Sequence, residues 1–296
     1  MNARLDHRAR QPRREPWSRE RLIHERSIAL ANALDASTRV TYNSHVQSYL
    51  NFCKIHNFPT DPTIDTLSFY IVYMSKHINP RSLPGYLSGI VSRLEPIFPD
   101  IRVNANKPIV RRTLQGCKRL NPKAIKRKRP LDYGDLQALI NTLTANADYD
   151  DILFVALVLT GFYALMRLGE LVVPDQLAKR TFNKIIRRSS LKIDSSQYQF
   201  LLPAHKADRF YEGNTILIQS TDSAPNAIPV MQRFVRLRDE RFPNHPQLFL
   251  RRDGTVPARQ FFMDRIREAL PGDVGGHSMR SGGATALAIA GVPDNR

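Results

Sequence analysis

The chain has 296 residues, length for two domains that each bury a core, with 42% hydrophobic and 24% charged residues, the balance of a folded globular protein rather than a disordered or fibrous one. No apolar run reaches the roughly 18 to 20 residues of a membrane span. The longest, Ile152 to Met166, stops at Arg167, and the first twenty residues are rich in arginine and proline without the apolar stretch of a secretory signal. Cys53 and Cys117 offer neither a disulfide framework nor a metal-ligand spacing, and read as small core residues of a protein from a reducing compartment.

The net charge is +17, and fifteen of those seventeen excess charges fall within residues 1–130. Residues 121–130 (NPKAIKRKRP) carry five basic side chains and no acidic one, whereas residues 131–296 carry twenty basic against eighteen acidic. Charge that local fits a polyanion, of which nucleic acid is the commonest; the plain alternative is a solubilising surface.

In chain order, residues 1–20 read as a disordered basic arm. Residues 21–120 read as a helical domain. Ser37 to His56 places Val40, Val46, Tyr49, Leu50, Phe52, Cys53 and Ile55 mostly on one face, and Thr63 to His77 follows the start signal Asp61-Pro62. Arg81 to Phe98 and Lys107 to Leu120 are two further predicted helices, fenced by Pro80, Pro99 and Pro122, giving four or five helices and no strand. Residues 121–130 form a basic linker, suited to crossing a phosphate backbone, to serving as a nuclear address, or to being an exposed hinge. Past it, Leu131-Asp132 opens a helix and Tyr149 to Leu165 forms a strongly apolar one. Leu191 to Asp194, Tyr198 to Pro203 and Asn214 to Gln219 read as short strands, with AHKADRFYEG turning between the last two. Helices resume at Asn226 to Phe242, Pro257 to Leu270 and Ser278 to Ala290. The predicted fold class is mainly α: a helical domain followed by an α+β domain with a small antiparallel sheet.

Two motifs carry candidate chemistry. GFYALMRLGELV holds Arg167 and Glu170 at the polar end of the apolar helix, and GGHSMRSGGAT holds His277 and Arg280. Between them Lys206 sits at the predicted hairpin tip. Singly, each has a structural reading: an i, i+3 ion pair for Arg167 and Glu170, a solvated turn lysine for Lys206, a helix cap for His277.

In this order, with 110 residues from Arg167 to His277, the motifs resemble those of the tyrosine recombinase family of phage integrases and Cre-like recombinases, across nearly the whole chain. The resemblance implies that the helical domain is a core-binding domain and residues 131–296 most of a catalytic domain. It implies that Arg167 and Arg280 hold the scissile phosphate, that His277 hydrogen-bonds it and assists proton movement, that Lys206 protonates the departing 5′ oxygen, and that Glu170 orients its neighbours. Lys179, Lys184 and Lys192 are alternatives for the hairpin lysine. Two guanidiniums, planar and always charged, suit a phosphodiester exchange that uses neither metal nor cofactor. Lys118, Arg119, Lys123, Lys126, Arg127, Lys128 and Arg129 are the expected DNA-backbone contacts. The implied partners are double-stranded DNA and, when full length, further copies of the chain on that DNA. Membranes and small-molecule cofactors are not expected, and the location is intracellular, nuclear in a eukaryote.

The sequence departs from the family at one point. The family's nucleophilic tyrosine lies some thirty residues past the second arginine, whereas sixteen residues follow Arg280 here and all ten tyrosines precede His277. The expectation is a chain truncated before its nucleophile, inactive alone, or a non-catalytic DNA-binding relative of a recombinase. An RNA-binding helical protein is the weakest reading, since no aromatic stacking strand is present.

Overall fold

The structure, a computed structural model, describes residues 14–124, 126–203, 212–220 and 225–292. The chain divides into two compact units, Met1–Ile125 and Lys126–Arg296.

The first unit is helical: α1 (Arg19–Ala31), α2 (Ala36–Ile55), α3 (Ile64–His77), α4 (Leu83–Leu94), α5 (Ile101–Asn106) and α6 (Pro108–Leu120). Short polar side chains fix the starts. Thr63 accepts the Thr66 N–H at 3.2 Å to open α3, whose last turn carries Lys76 and His77 against the carbonyl end of the helix dipole. Packing of α2 on α4 and of α3 on α6 closes a core around Tyr49, Phe52, Leu67, Tyr70, Ile71 and Ile90. The buried Tyr49 hydroxyl is satisfied by Thr66 Oγ1 at 3.1 Å and the Asp61 carbonyl at 3.2 Å. Gly89 makes room for a side chain of α2, since a Cβ there would stand 2.5 Å from His45 Nδ1.

One expected helix differs. In place of a single helix over Arg81 to Phe98, a 3-10 turn at Pro80–Ser82 leads into α4, which ends at Leu94. The unpredicted α5 fits between Pro99 and Pro108, and six residues are too few to display a helical period.

The second unit is built on α8 (Tyr149–Tyr163), whose residues Ile152 to Phe162 are all buried. Such a helix has no solvent face and serves as a spine. Before it comes α7 (Tyr133–Asn141), opened by a reciprocal box in which Asp132 accepts the Asp135 N–H and Asp135 accepts the Asp132 N–H, both at 2.9 Å. After it come the single turn α9 (Leu168–Leu171), strands β1 (Lys192–Ile193), β2 (Gln197–Leu202) and β3 (Asn214–Gln219), then α10 (Ala227–Arg241), α11 (Arg259–Ala269) and α12 (Ser278–Ile289). The sheet is antiparallel in the order β1-β2-β3, with Tyr198 opposite Ile218 and Leu202 opposite Asn214. Alternation along β2 buries Tyr198, Phe200 and Leu202, and the Tyr198 hydroxyl meets Thr160 of α8 at 2.9 Å. Helices α10 and α12 pack on the same spine. The architecture is mainly α with a small antiparallel sheet.

Candidate functional site

The site is assembled where α8 ends. Ala164 caps the helix, the Leu165 and Met166 N–H groups return to the Phe162 and Gly161 carbonyls at 3.3 and 2.9 Å, and Leu165 takes a left-handed φ of 51°. That is a Schellman ending with leucine where glycine is favoured. The chain reverses, and Arg167 starts α9. Glu170 then holds Arg167 twice, accepting its backbone N–H at 2.7 Å and its guanidinium at 3.1 Å. Glu170 is nearly buried while the Arg167 side chain stays 37% exposed, so the clamp fixes a cation that solvent still reaches. The ion-pair reading of these two residues is therefore realised in the structure, and it leaves further guanidinium donors to spare.

Helix α12 brings the second motif to the same place because glycines let it approach. A Cβ on Gly283 would stand 2.1 Å from the Phe162 carbonyl oxygen, one on Gly282 2.2 Å from the Leu131 carbonyl oxygen, and one on Gly276 2.6 Å from Leu168 Cδ2. The start of α12 is seated with its backbone against those of Phe162 and Leu131, and the glycine just before it lies against the Leu168 side chain of α9. Arg280 then donates from Nη1 to the Leu165 carbonyl at 2.7 Å, two residues before Arg167. His277 is exposed and occupies the N-cap position of α12, as the structural reading expected, but it caps through its backbone carbonyl, which accepts the Ser281 N–H at 3.0 Å, and its side chain makes no capping bond. Three residues apart on a helix turn, His277 and Arg280 share a face.

Lys206 lies in the segment between β2 and β3 that falls outside the described residues. Of the alternatives, Lys192 sits on β1 opposite Gln199, and Lys179 and Lys184 lie in exposed single turns before the sheet.

The basic residues divide into two groups. Lys128 pairs with Asp273, and Arg129 is held bidentately by Asp135 at 2.6 and 3.0 Å and by the Pro271 carbonyl at 3.1 Å. With the Arg129 and Leu131 N–H groups bonded to the Asp273 and Ser278 carbonyls, this end of the basic run is fastened beneath α12 rather than forming a free linker. Lys118, Arg119, Lys123, Lys126 and Arg127 are exposed, and among the described residues none has a carboxylate within ion-pair distance. Arg111 and Arg112 stand outside the contacts expected from sequence. Both are exposed on α6, and with Gln115, Lys118 and Arg119 they cover an arc of about 120° opposite buried Val110 and Cys117. The signal was present as helical spacing of arginines, hidden by the denser run that follows.

This mainly α architecture, with its small antiparallel sheet, is the tyrosine recombinase fold. The chain is similar to a lambda integrase tetramer bound to a Holliday junction, at 13% identity over 93% of this chain and 74% of that one, with a TM-score of 0.55. It is likewise similar to a lambda integrase(75-356) dimer bound to a COC′ core site, at 14% identity over 91% of this chain and 89% of that one, with a TM-score of 0.53. No protein-family model and no curated protein matches the chain.

Proposed function

We propose that the protein binds duplex DNA and holds one phosphodiester between Arg167, Arg280 and His277, as a member of the DNA breaking-and-rejoining machinery of site-specific recombination and integration. The observation that carries this reading is the seating of Arg280 on the Leu165 carbonyl, next to the clamp of Glu170 on Arg167. Two fixed guanidiniums with free donors present a preorganised cradle for charge that grows on the nonbridging oxygens when phosphorus becomes five-coordinate. Exposed His277 supplies a third hydrogen bond and assists proton movement. Lys206 is assigned to protonating the 5′ oxygen as the phosphorus–oxygen bond breaks. Glu170 acts through Arg167, as a positioning residue.

The attacking group in this chemistry is a phenolate, which forms a bond to phosphorus and leaves a 3′-phosphotyrosyl link. No tyrosine follows Arg280 in these 296 residues, and none of the ten before it is assigned the attack. Fold neighbours captured as a dimer on a core site and as a tetramer on a junction favour assembly of several copies on DNA.

A duplex selected from a random pool for tight binding, carrying a sulfur in place of the bridging 5′ oxygen, tests the cradle with an added small phenol as nucleophile. Arg167→Lys and Arg280→Lys are each expected to abolish strand scission while leaving affinity within a few-fold, because many other cations share the binding. Tight binding by the parent with no scission would instead favour a DNA-binding protein without catalytic function, which the charge of residues 1–130 supports by itself.

A further inference from the structure

Residues 131–296 are nearly neutral, with twenty basic against eighteen acidic side chains, yet one excursion of them is not. Between Asp175 and Ile193 lie six basic residues and one acidic residue. The segment is tied down at both ends. At one end Val173 bridges to Ala258 and the Asp175 carboxylate accepts the Gln260 N–H at 2.8 Å; at the other, Ile186 is buried and Arg188 grips Asp239 at 2.7 Å. Between these anchors the chain makes two single 3-10 turns, Leu177–Lys179 and Phe182–Lys184, neither of which buries a residue. Arg180 braces the projection from within, donating to the Pro174 carbonyl at 2.9 Å.

Its composition is unusual for a solvated loop. Leu177 is 75% exposed and Phe182 78% exposed, although both ends of the loop are packed on the unit. Lys179, Lys184 and Arg187 flank them, exposed and without a carboxylate in ion-pair distance among the described residues, while the loop's one acid is occupied by a backbone amide. Charge of one sign selects a polyanion. An aromatic and an aliphatic side chain held out between cations match the wedge that groove-binding proteins press against sugars and base edges while basic neighbours hold the phosphates.

We infer that residues 176–187 are a second DNA-contacting element, in which Phe182 and Leu177 enter a groove of the duplex and Lys179, Lys184 and Arg187 hold the flanking phosphates. The inference rests on the reading of the protein as a duplex-DNA binder, and assigns to the second unit a contact that the near-neutral balance of residues 131–296 conceals.

The test uses the full chain with p-benzoylphenylalanine placed at position 182, irradiated with a labelled 30-base-pair duplex and resolved on a denaturing gel, beside salt titrations of variants. A protein–DNA cross-link is expected. Lys179→Ala with Lys184→Ala is expected to lower the slope of log affinity against log salt by roughly two. Phe182→Ala is expected to weaken binding by about 5-fold or more with the slope unchanged. As these side chains are exposed, melting curves should match the parent. Loss of binding on changing Arg111, Arg112, Lys118 and Arg119, with no effect of the loop variants and no cross-link, overturns this inference alone. Absence of binding by the unaltered chain overturns the DNA reading and this inference with it. Cross-linking to a second copy of the chain in place of DNA reassigns the loop to a protein contact.

Discussion

Gly283→Ala offers a sharp test of how the candidate site is built. The added methyl would stand 2.1 Å from the Phe162 carbonyl oxygen and 2.6 Å from Leu165 Cδ2. The first neighbour is backbone and cannot rotate away, so α12 must retreat from α8 by about 1 Å, a gap that forfeits a quarter to a half of the dispersion attraction across that interface. Overpacking of this kind costs about 1 to 3 kcal/mol. The same retreat lengthens the 2.7 Å bond from Arg280 to the Leu165 carbonyl, whose loss as a charge-assisted bond costs about 1.5 to 3 kcal/mol. The two effects share one displacement, so the expected destabilisation is about 2 to 5 kcal/mol rather than a strict sum. Urea unfolding followed by circular dichroism measures it, with Gly116→Ala as the control. Nothing lies within 4 Å of a Cβ at Gly116, in the interior of α6, where alanine is expected to stabilise by about 0.5 to 1 kcal/mol. Arg280→Ala should also cost less in the Gly283→Ala background than alone. A Gly283→Ala chain that unfolds with the parent, or full additivity of the two changes, would refute the account of α12 as held by glycine-mediated backbone contact.

Three further outcomes are expected. His45 stacks on Tyr86 at 4.1 Å with its Nδ1 buried and unpartnered, and burial holds its pKa below the ordinary 6.5. The unfolded chain therefore takes up this proton at a higher pH than the folded one, so the stability His45 contributes is present above about pH 6.5 and lost as pH falls below it; denaturation midpoints between pH 7 and 5 should fall in the parent and flatten in His45→Phe, and parallel profiles would refute this. Replacing Arg111, Arg112, Lys118 and Arg119 by alanine should reduce the salt slope of duplex binding by roughly one for each phosphate deprived of its cation, which fluorescence anisotropy at several ionic strengths would show. The 296 residues alone should form no covalent DNA adduct on a suicide duplex: Tyr49, Tyr70 and Tyr198 are buried, and burial raises all three phenols, that of Tyr70 to about 12. A protein-linked strand mapped to any tyrosine before His277 would contradict the assignment of the nucleophile.

The amino-acid sequence by itself determined most of the elements, because their signals are local. Thr63 and the Asp132–Asp135 box mark helix starts through bonds three residues long, and Tyr198, Phe200 and Leu202 alternate because strand side chains do. The sequence order of Arg167, Glu170, His277 and Arg280 carried the resemblance to tyrosine recombinases, which in turn implies a phosphate cradle. What it could not contain was the join between the halves of that cradle. Arg280 meets the Leu165 carbonyl across 115 positions, and Lys128 meets Asp273 across 145. Which residues meet at such separations depends on how closely two helices cross. That distance was decided in three dimensions by the missing side chains of Gly276, Gly282 and Gly283, whose neighbours Leu168, Leu131 and Phe162 no periodicity names. The exposed turns at Leu177 and Phe182 escaped for the complementary reason: a short apolar residue pattern reads the same whether a core or a partner covers it, and only the packed structure leaves them in solvent.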